Sequence, residues 1–356
     1  MAARLKMEYK RFSKTGEKVF DIGLGTYGYG DAYGGISKED SFEVLNSIVK
    51  STPTYANLLI DTAPLYGAGT CEKWIGEFLA VSGTANVLIA AKGGRHIEPD
   101  RVNEKDFSPE FLKAGLGESL KRLGANEIFL YQLHNPSLGV LTEGSVFDLL
   151  EEFRDEGKIR FYGVSIDSPT EGIAAIEVCR RKGYDGLAAI QVVYNILNKT
   201  ANKKLFEIAK DSNIAIIARE PLFRGFLTDK YSSDDNLSSI PSARQKEIDL
   251  YGLEQINLKV GKIRKLLQKY EVNVPLSKVA IKFVVSHPYV TLTIPGTNRQ
   301  EYVEPNLNAA NTALDDALLS ELNDIADITS PYGPAVFTDL PANVENNCRY
   351  RMGVIS

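Results

Sequence analysis

The sequence predicts an α/β fold, a closed (β/α)8 TIM barrel. Three observations carry that reading: eight short apolar runs, amphipathic stretches with helix-start signals between them, and no composition break along 356 residues. The runs are near-continuously apolar rather than alternating, which marks strands covered on both faces, as in a parallel sheet. Eight such units in succession favour a closed barrel over a doubly wound open sheet.

In chain order, residues 7–18 (MEYKRFSKTGEK) carry a Lys14-Thr15-Gly16 turn and read as an N-terminal hairpin. Strands are expected at 19–26 (VFDIGLGT), 57–63 (NLLIDTA), 86–92 (NVLIAAK) and 127–134 (EIFLYQLH). The remaining four are 159–165 (IRFYGVS), 188–195 (AAIQVVYN), 213–220 (NIAIIARE) and 290–297 (VTLTIPGT). Helix starts are marked at Ser37-Lys38-Glu39-Asp40, at Ser108-Pro109-Glu110 and at Ser168-Pro169-Thr170-Glu171, where a capping side chain precedes Pro or acidic residues. The first of these helices runs to Val49, the second to Leu123 and the third to about Lys182, with Gly124, Gly157 and Gly183 placed to close helices. Residues 229–253 are polar and Ser/Asp-rich, and are expected to form a long loop on one face. The tail, 329–356, is Pro/Asn-rich without periodicity, and no linker splits the chain, so 1–356 reads as one domain.

Composition narrows the function classes. Hydrophobic residues make up 44% and charged residues 24%, the balance of a globular protein. With 41 Lys plus Arg against 46 Asp plus Glu, the net charge of −5 lacks the basic excess that nucleic acid or an anionic membrane surface requires. Cys71, Cys179 and Cys348 are scattered, without a Cys-x-x-Cys pair, which argues against a disulfide framework or zinc site and for a reducing compartment. No apolar run reaches the length of a membrane span and none marks a signal peptide, so a cytoplasmic location is expected.

A literal G-x-G-x-x-G stands at Gly23, Gly25 and Gly28. A dinucleotide-binding reading needs a helix to open at the third glycine, and here Tyr29-Gly30-Asp31-Ala32-Tyr33-Gly34-Gly35 continues as a loop. That reading is rejected. The chemistry of an α/β barrel gathers at the C-terminal ends of its strands. Asp61, Tyr66, Lys92 and His134 stand at or just beyond the ends of three adjacent strands. Each taken singly has a structural explanation: a turn cap, a common aromatic, a solvated strand end, a core histidine. Jointly they form a coherent set. An ammonium at Lys92 stabilises the Tyr66 phenolate, Asp61 holds Lys92 charged and oriented, and His134 donates to a carbonyl oxygen. Such a set delivers a proton to oxygen as hydride arrives at carbon.

The chain resembles the aldo-keto reductases, on the L-galactose dehydrogenase-like, aldose dehydrogenase side of that family. The motifs are GLGTYGYG at 23–30, IDTAPLYG at 60–67, EKWIGE at 72–77, AAKGG at 90–94 and LYQLHNP at 130–136. They continue through EGKIRFYGVS at 156–165, QVVYNIL at 191–197, PLFRGFLTDKY at 221–231 and IPGTNRQEYVEPN at 294–306. The resemblance implies a catalytic tetrad of Asp61, Tyr66, Lys92 and His134, and a nicotinamide cofactor lying across the barrel mouth. It places Thr26 and Tyr27 beside that cofactor, and Ser165 and Gln191 at the carboxamide. Leu222, Arg224, Gly225 and Leu227 fall over the pyrophosphate, and Gly296, Thr297, Asn298, Arg299 and Asn306 at the adenosine phosphate, where amide donors and a helix start suit an anion.

Three residues depart from the family pattern. Ile166 replaces an Asn, Arg219 stands where an aromatic ring stacks on nicotinamide, and Tyr302 aligns with an Arg that grips the 2′-phosphate, a loss that Arg299 could offset. The implied cofactor is NADP(H), favoured over NAD(H), and the implied substrate is a small carbonyl or alcohol, such as a sugar or aromatic, taken by a monomer or simple homo-oligomer. Tyr27, Tyr29 and Tyr33 are expected at the mouth, and Arg95 is a candidate for gripping an anionic substrate group. His96 is expected at the surface, while Trp74 and His287 are expected to be structural. Two other functions remain open from the residues: a Schiff-base lyase using Lys92, and a nucleotide-sensing regulatory subunit with little turnover.

Overall fold

The computed structural model describes residues 8–30, 35–230 and 242–329. An antiparallel ribbon, β1 (Tyr9–Arg11) with β2 (Lys18–Phe20), precedes eight parallel strands in sequential order. These are β3 (Leu24–Gly25), β4 (Leu58–Asp61), β5 (Val87–Gly93), β6 (Ile128–His134), β7 (Ile159–Ser165), β8 (Leu187–Val193), β9 (Ala215–Arg219) and β10 (Leu292–Thr293). Parallel bridges Ile22↔Thr293 and Gly25↔Gly296 bring the two edges together and close the (β/α)8 barrel. Glycine is needed at that seam, because a Cβ on Gly25 would lie 2.7 Å from the Ile294 carbonyl oxygen.

The helices are α1 (Lys38–Ser51), α2 (Thr70–Ser82), α3 (Pro109–Leu123), α4 (Leu138–Glu143), α5 (Ser145–Asp155) and α6 (Pro169–Lys182). They continue with α7 (Leu205–Asp211), α8 (Ser242–Tyr251), α9 (Leu253–Lys269), α10 (Leu276–Ser286), α11 (Val303–Leu307) and α12 (Asp316–Asn323). The helix-start signals act as the sequence predicts: Ser37 and Ser108 accept from the backbone N–H of Asp40 and Phe111. At α6, Ser168 and Glu171 form a reciprocal capping box, leaving fewer orphan donors in the first turn.

Two apolar layers form the core. One lies inside the barrel and includes Leu59, Ala90, Leu130, Ala189, Ala215, Ile217 and Leu292; the other fills the space between strands and helices. Phe12, fully buried in the turn of the ribbon, packs edge-on against Phe129 at 5.5 Å and so joins the ribbon to the inner layer.

The structure corrects several expected elements. The run 19–26 is not one strand, because its two halves serve different partners: β2 pairs with β1, whereas β3 pairs with β4. The hairpin expected at 7–18 therefore extends to Phe20. The final run, 290–297, contributes only β10, since Pro295 interrupts the ladder after Thr293 and Ile294. Part of the expected loop at 229–253 is the helix α8, tied to the barrel loop by Glu247, which accepts from Arg224 Nε at 2.8 Å. The rest of that loop from 231 to 241, the tail from 330 and Tyr33 lie outside the described residues. Among the described residues no helix is long and apolar enough to cross a membrane.

Candidate active site

Strand alternation places the candidate residues. On β5 and β6, side chains two apart share a face, so Ala90 and Lys92, and Leu130, Gln132 and His134, align along the barrel interior toward its C-terminal mouth. Pairing registers Lys92 with Gln132, His134 with Ser165 and Ser165 with Gln191, which sets these positions side by side around the rim.

The result is a buried polar cluster. Lys92 Nζ donates to Asp61 Oδ2 at 2.6 Å, to the Thr62 carbonyl at 3.0 Å and to the Tyr66 hydroxyl oxygen at 3.1 Å. The other Asp61 oxygen accepts from Gln191 Nε2 at 2.7 Å and from Gln132 Nε2 at 3.2 Å. Gln191 also donates to Gln132 Oε1 at 3.2 Å and accepts from Ser165 Oγ at 3.4 Å. Asp61 thus has both oxygens satisfied, which a buried carboxylate requires. The His134 ring stands edge-on to the Tyr66 ring at 6.1 Å, and Tyr27 stands edge-on to its other side at 5.2 Å.

Protonation follows from burial and these neighbours. Burial by itself would strip the Lys92 ammonium of its proton, but Asp61 and then Tyr66 outweigh it and hold Lys92 above the ordinary lysine range. Burial pushes the Tyr66 phenol up, and the Lys92 ammonium pulls against it without prevailing. The expected lowering of Tyr66 by Lys92 is therefore present as a contribution, but desolvation wins. His134 is driven well below the usual imidazole range, first by burial and then by Lys92, Arg95 and Arg219. At neutral pH the cluster holds a neutral phenol, a neutral imidazole and a charged Lys92.

Above the cluster lies a cleft of about 690 Å³. Tyr27, Asp61, Tyr66 and His134 line it, as do the candidates Ser165, Gln191, Arg219, Leu222, Arg224, Gly225, Gly296, Asn298, Tyr302 and Asn306. Lys92 sits beneath the cleft floor, 1% exposed. Thr26, Leu227, Thr297 and Arg299 do not line it. Thr26 is buried and donates to the Asp61 carbonyl at 2.9 Å, while Thr297 is buried and accepts from Asn306 Nδ2 at 2.9 Å. Arg299 is exposed on a neighbouring groove shared with Asp40, Glu43, Glu301 and Glu304.

Arg219 is clamped: it donates to the Ile166 carbonyl at 3.0 Å, to Asp167 at 3.1 Å and to Glu220 at 2.5 Å. Tyr29 is 3% exposed, so it is a core residue and not part of the mouth. His96 is buried rather than at the surface, because it stacks on Phe111 at 4.3 Å and bonds Glu98 at 2.9 Å. His287 is structural as expected, bonding Asn202 at 2.7 Å. Trp74 is half-buried on α2 and does not line the cleft.

Three residues of the site escape the sequence reading, Gln132 in the buried cluster and Arg244 and Lys230 in the cleft lining. Gln132 holds Asp61, and its signal was available, since it lies two positions before His134 on the same strand face. Arg244 on α8 donates to the carbonyls of Arg224 at 3.1 Å and Gly225 at 3.5 Å, and Lys230 stands 4.1 Å from the centre of the Tyr302 ring. Gly225 sits at φ +91°, a conformation side-chain-bearing residues rarely adopt, and a Cβ there would also press on Arg244 Nη2 at 2.6 Å.

The cleft suits a dinucleotide with anionic phosphates. Arg224, Arg244 and Lys230 gather on one side, and among the described residues the buried Arg219 Nε and Tyr302 hydroxyl have no hydrogen-bond partner. Gly296 opens onto free space there. Among the described residues no group of three or more His, Cys, Asp or Glu side chains could hold a metal ion.

Fold and site together define a (β/α)8 barrel with a buried Asp–Lys–Tyr cluster opening into a cation-lined cleft at its C-terminal mouth. The chain belongs to the aldo/keto reductase family, whose model matches residues 21–327. Membership makes it an NAD(P)-dependent oxidoreductase of carbonyl compounds. It is 28% identical to aldo-keto reductase yakc [NADP(+)] of Schizosaccharomyces pombe, across 90% of this chain and 94% of that one. It is also 28% identical to aldo-keto reductase YhdN of Bacillus subtilis, across 92% and 97%. The holo form of the aldo-keto reductase AKR11C1 from Bacillus halodurans superposes with a TM-score of 0.72 at 20% identity, covering 90% of this chain and 97% of that one, which shows the shared fold.

Proposed function

We propose that Tyr66 is the general acid and base of a reversible carbonyl–alcohol interconversion. The observation that carries this is the Tyr66 hydroxyl, held by a buried, charged Lys92 at 3.1 Å at the floor of the cleft. The hydride would come from a reduced nicotinamide held in the cleft. Tyr66 gives its proton to the substrate oxygen, and the phenolate left behind is stabilised by Lys92, whose charge Asp61 maintains. His134, neutral, donates an N–H to the same oxygen and orients it. In the oxidative direction the Tyr66 phenolate accepts the alcohol proton.

The cofactor is NADPH, favoured over NADH by the NADP(+) in the name of the Schizosaccharomyces pombe relative and by Lys230 beside Tyr302 at the adenosine end of the cleft. Leu222, Arg224, Gly225 and Arg244 would hold the phosphates, Ser165 and Gln191 the nicotinamide amide, and Asn298, Tyr302 and Asn306 the adenosine end. A Schiff-base role for Lys92 is disfavoured, because an ammonium raised above its ordinary range and bound to three acceptors is a poor nucleophile.

The pH profile tests the assignment. Tyr66, raised above its usual value near 10, stays protonated through neutral pH, and His134, lowered well below its usual value near 6.5, stays neutral. Reduction is therefore expected to be flat from about pH 6 to 9, while oxidation, which needs the phenolate, rises roughly tenfold per pH unit where chemistry limits the rate. A reductive rate that titrates near neutrality, or an oxidative rate indifferent to pH, contradicts Tyr66 as the proton carrier.

A further inference from the structure

The cleft contains a guanidinium that no carboxylate pairs with directly among the described residues, Asp167 acting on it only from a distance and less strongly than burial does. Arg224 is paired with Glu220 and Glu247, and Arg219 with Glu220 and Asp167. Arg95 differs. It donates from Nε to the His134 carbonyl at 2.9 Å, and from Nη1 to the Asn103 carbonyl at 2.9 Å and to Asn103 Oδ1 at 3.1 Å. All three acceptors are neutral, and among the described residues no carboxylate forms an ion pair with it. A half-buried Arg in this state is an unfilled anion site.

Its position is fixed and specific. The loop carrying it folds back as an antiparallel bridge between Arg95 and Lys105, reinforced by His96 N–H to the Glu104 carbonyl at 3.0 Å and Asn103 N–H to the His96 carbonyl at 2.9 Å. The buried His96, stacked on Phe111, anchors that loop. Arg95 follows β5, whereas the phosphate-side cations Arg224, Lys230 and Arg244 follow β9, four strands further round the barrel. Arg95 thus lines the mouth from the opposite side, tied to the backbone of His134. Tyr27 and Leu65 line the same cleft with apolar surface.

We propose that Arg95 binds a carboxylate on the substrate, so that the preferred carbonyl compounds are short oxo acids rather than neutral aldehydes or sugars. The proposal rests on the reading of Tyr66 and His134 as the carbonyl-binding pair. The Arg95 fork closes on the carboxylate through its outward N–H groups while its Nε remains on the His134 backbone, coupling the anion's position to the carbonyl's.

Steady-state kinetics with 4-oxobutanoate and butanal, a charged and a neutral substrate of equal chain length, test it. The wild-type protein is expected to favour 4-oxobutanoate about tenfold to hundredfold in kcat/KM, mostly through KM, with the preference eroding as salt rises. Arg95→Gln is expected to bring the ratio near one, and Arg95→Lys to retain part of it. In the wild type, butanoate is expected to compete with either substrate, and butanamide is not, which keeps the test open if Arg95→Gln fails to fold. A wild-type ratio of one or less, or full preference retained by Arg95→Gln, overturns the oxo-acid proposal while leaving the oxidoreductase site standing. No turnover of either substrate with NADPH or NADH would instead strike the underlying reading of Tyr66, and the proposal with it.

Discussion

Tyr66→Phe is expected to lower kcat for carbonyl reduction about 10²- to 10⁴-fold, the range for loss of a positioned proton donor. The substitution removes one oxygen and little else. Lys92 keeps Asp61 at 2.6 Å and the Thr62 carbonyl at 3.0 Å, so its charge remains satisfied and the fold should survive. The ring also keeps its edge contacts with Tyr27 and His134, so the cleft retains its shape. Stopped-flow or steady-state assays of the purified variant, alongside circular dichroism, read both quantities. A variant within a few-fold of wild type would mean that protons reach the substrate oxygen from elsewhere, with His134 the next group to examine.

Asp61→Asn is expected to damage stability and catalysis together. Asp61 is 2% exposed and its partner Lys92 1%, so the change strands an ammonium in a low-dielectric interior. Breaking such a buried pair from one side typically costs about 3–5 kcal/mol, more than an exposed pair contributes when intact. Asparagine also replaces one acceptor oxygen by a donor. One of the donors that now meet on Asp61, from Lys92, Gln132 or Gln191, must then turn away. Lys92 answers by losing its proton more readily, which weakens its hold on a Tyr66 phenolate. Urea unfolding should show the lower stability, and kcat should fall with it. Unchanged stability would show that the Asp61–Lys92 contact is energetically idle.

The convergence of these candidate residues is legible in the sequence because barrel chemistry collects at strand ends. A buried Asp, Lys or His closing an apolar run stands out against its neighbours. Asp61, Lys92 and His134 each end such a run, and Tyr66 follows the first by five residues. What sequence could not supply is partner choice. The stretch from Val19 to Thr26 looks like one strand by local pattern, yet its halves pair with β1 and β4. Helix α8 carries no clear apolar stripe, and its Arg244 reaches the cleft through contacts with Arg224 and Gly225 some 20 residues earlier. His96 looked like a surface residue because the stack on Phe111 that buries it is set by how the loop folds back. Its own periodicity says nothing of that. The net upward shift of Tyr66 was illegible for the same reason: the sequence names the cation beside it but not the depth of burial.

The most direct test of the account is a single turnover with NADPH carrying deuterium at the transferable position. NADPH and NADH should first be titrated by fluorescence, and the labelled cofactor then mixed with an aldehyde. The account predicts saturable cofactor binding, tighter for NADPH, and deuterium at the carbinol carbon of the alcohol formed, with Tyr66→Phe still binding cofactor but transferring label far more slowly. Binding of neither cofactor, together with a borohydride-trapped adduct on Lys92, would contradict it and make the barrel mouth a Schiff-base site instead.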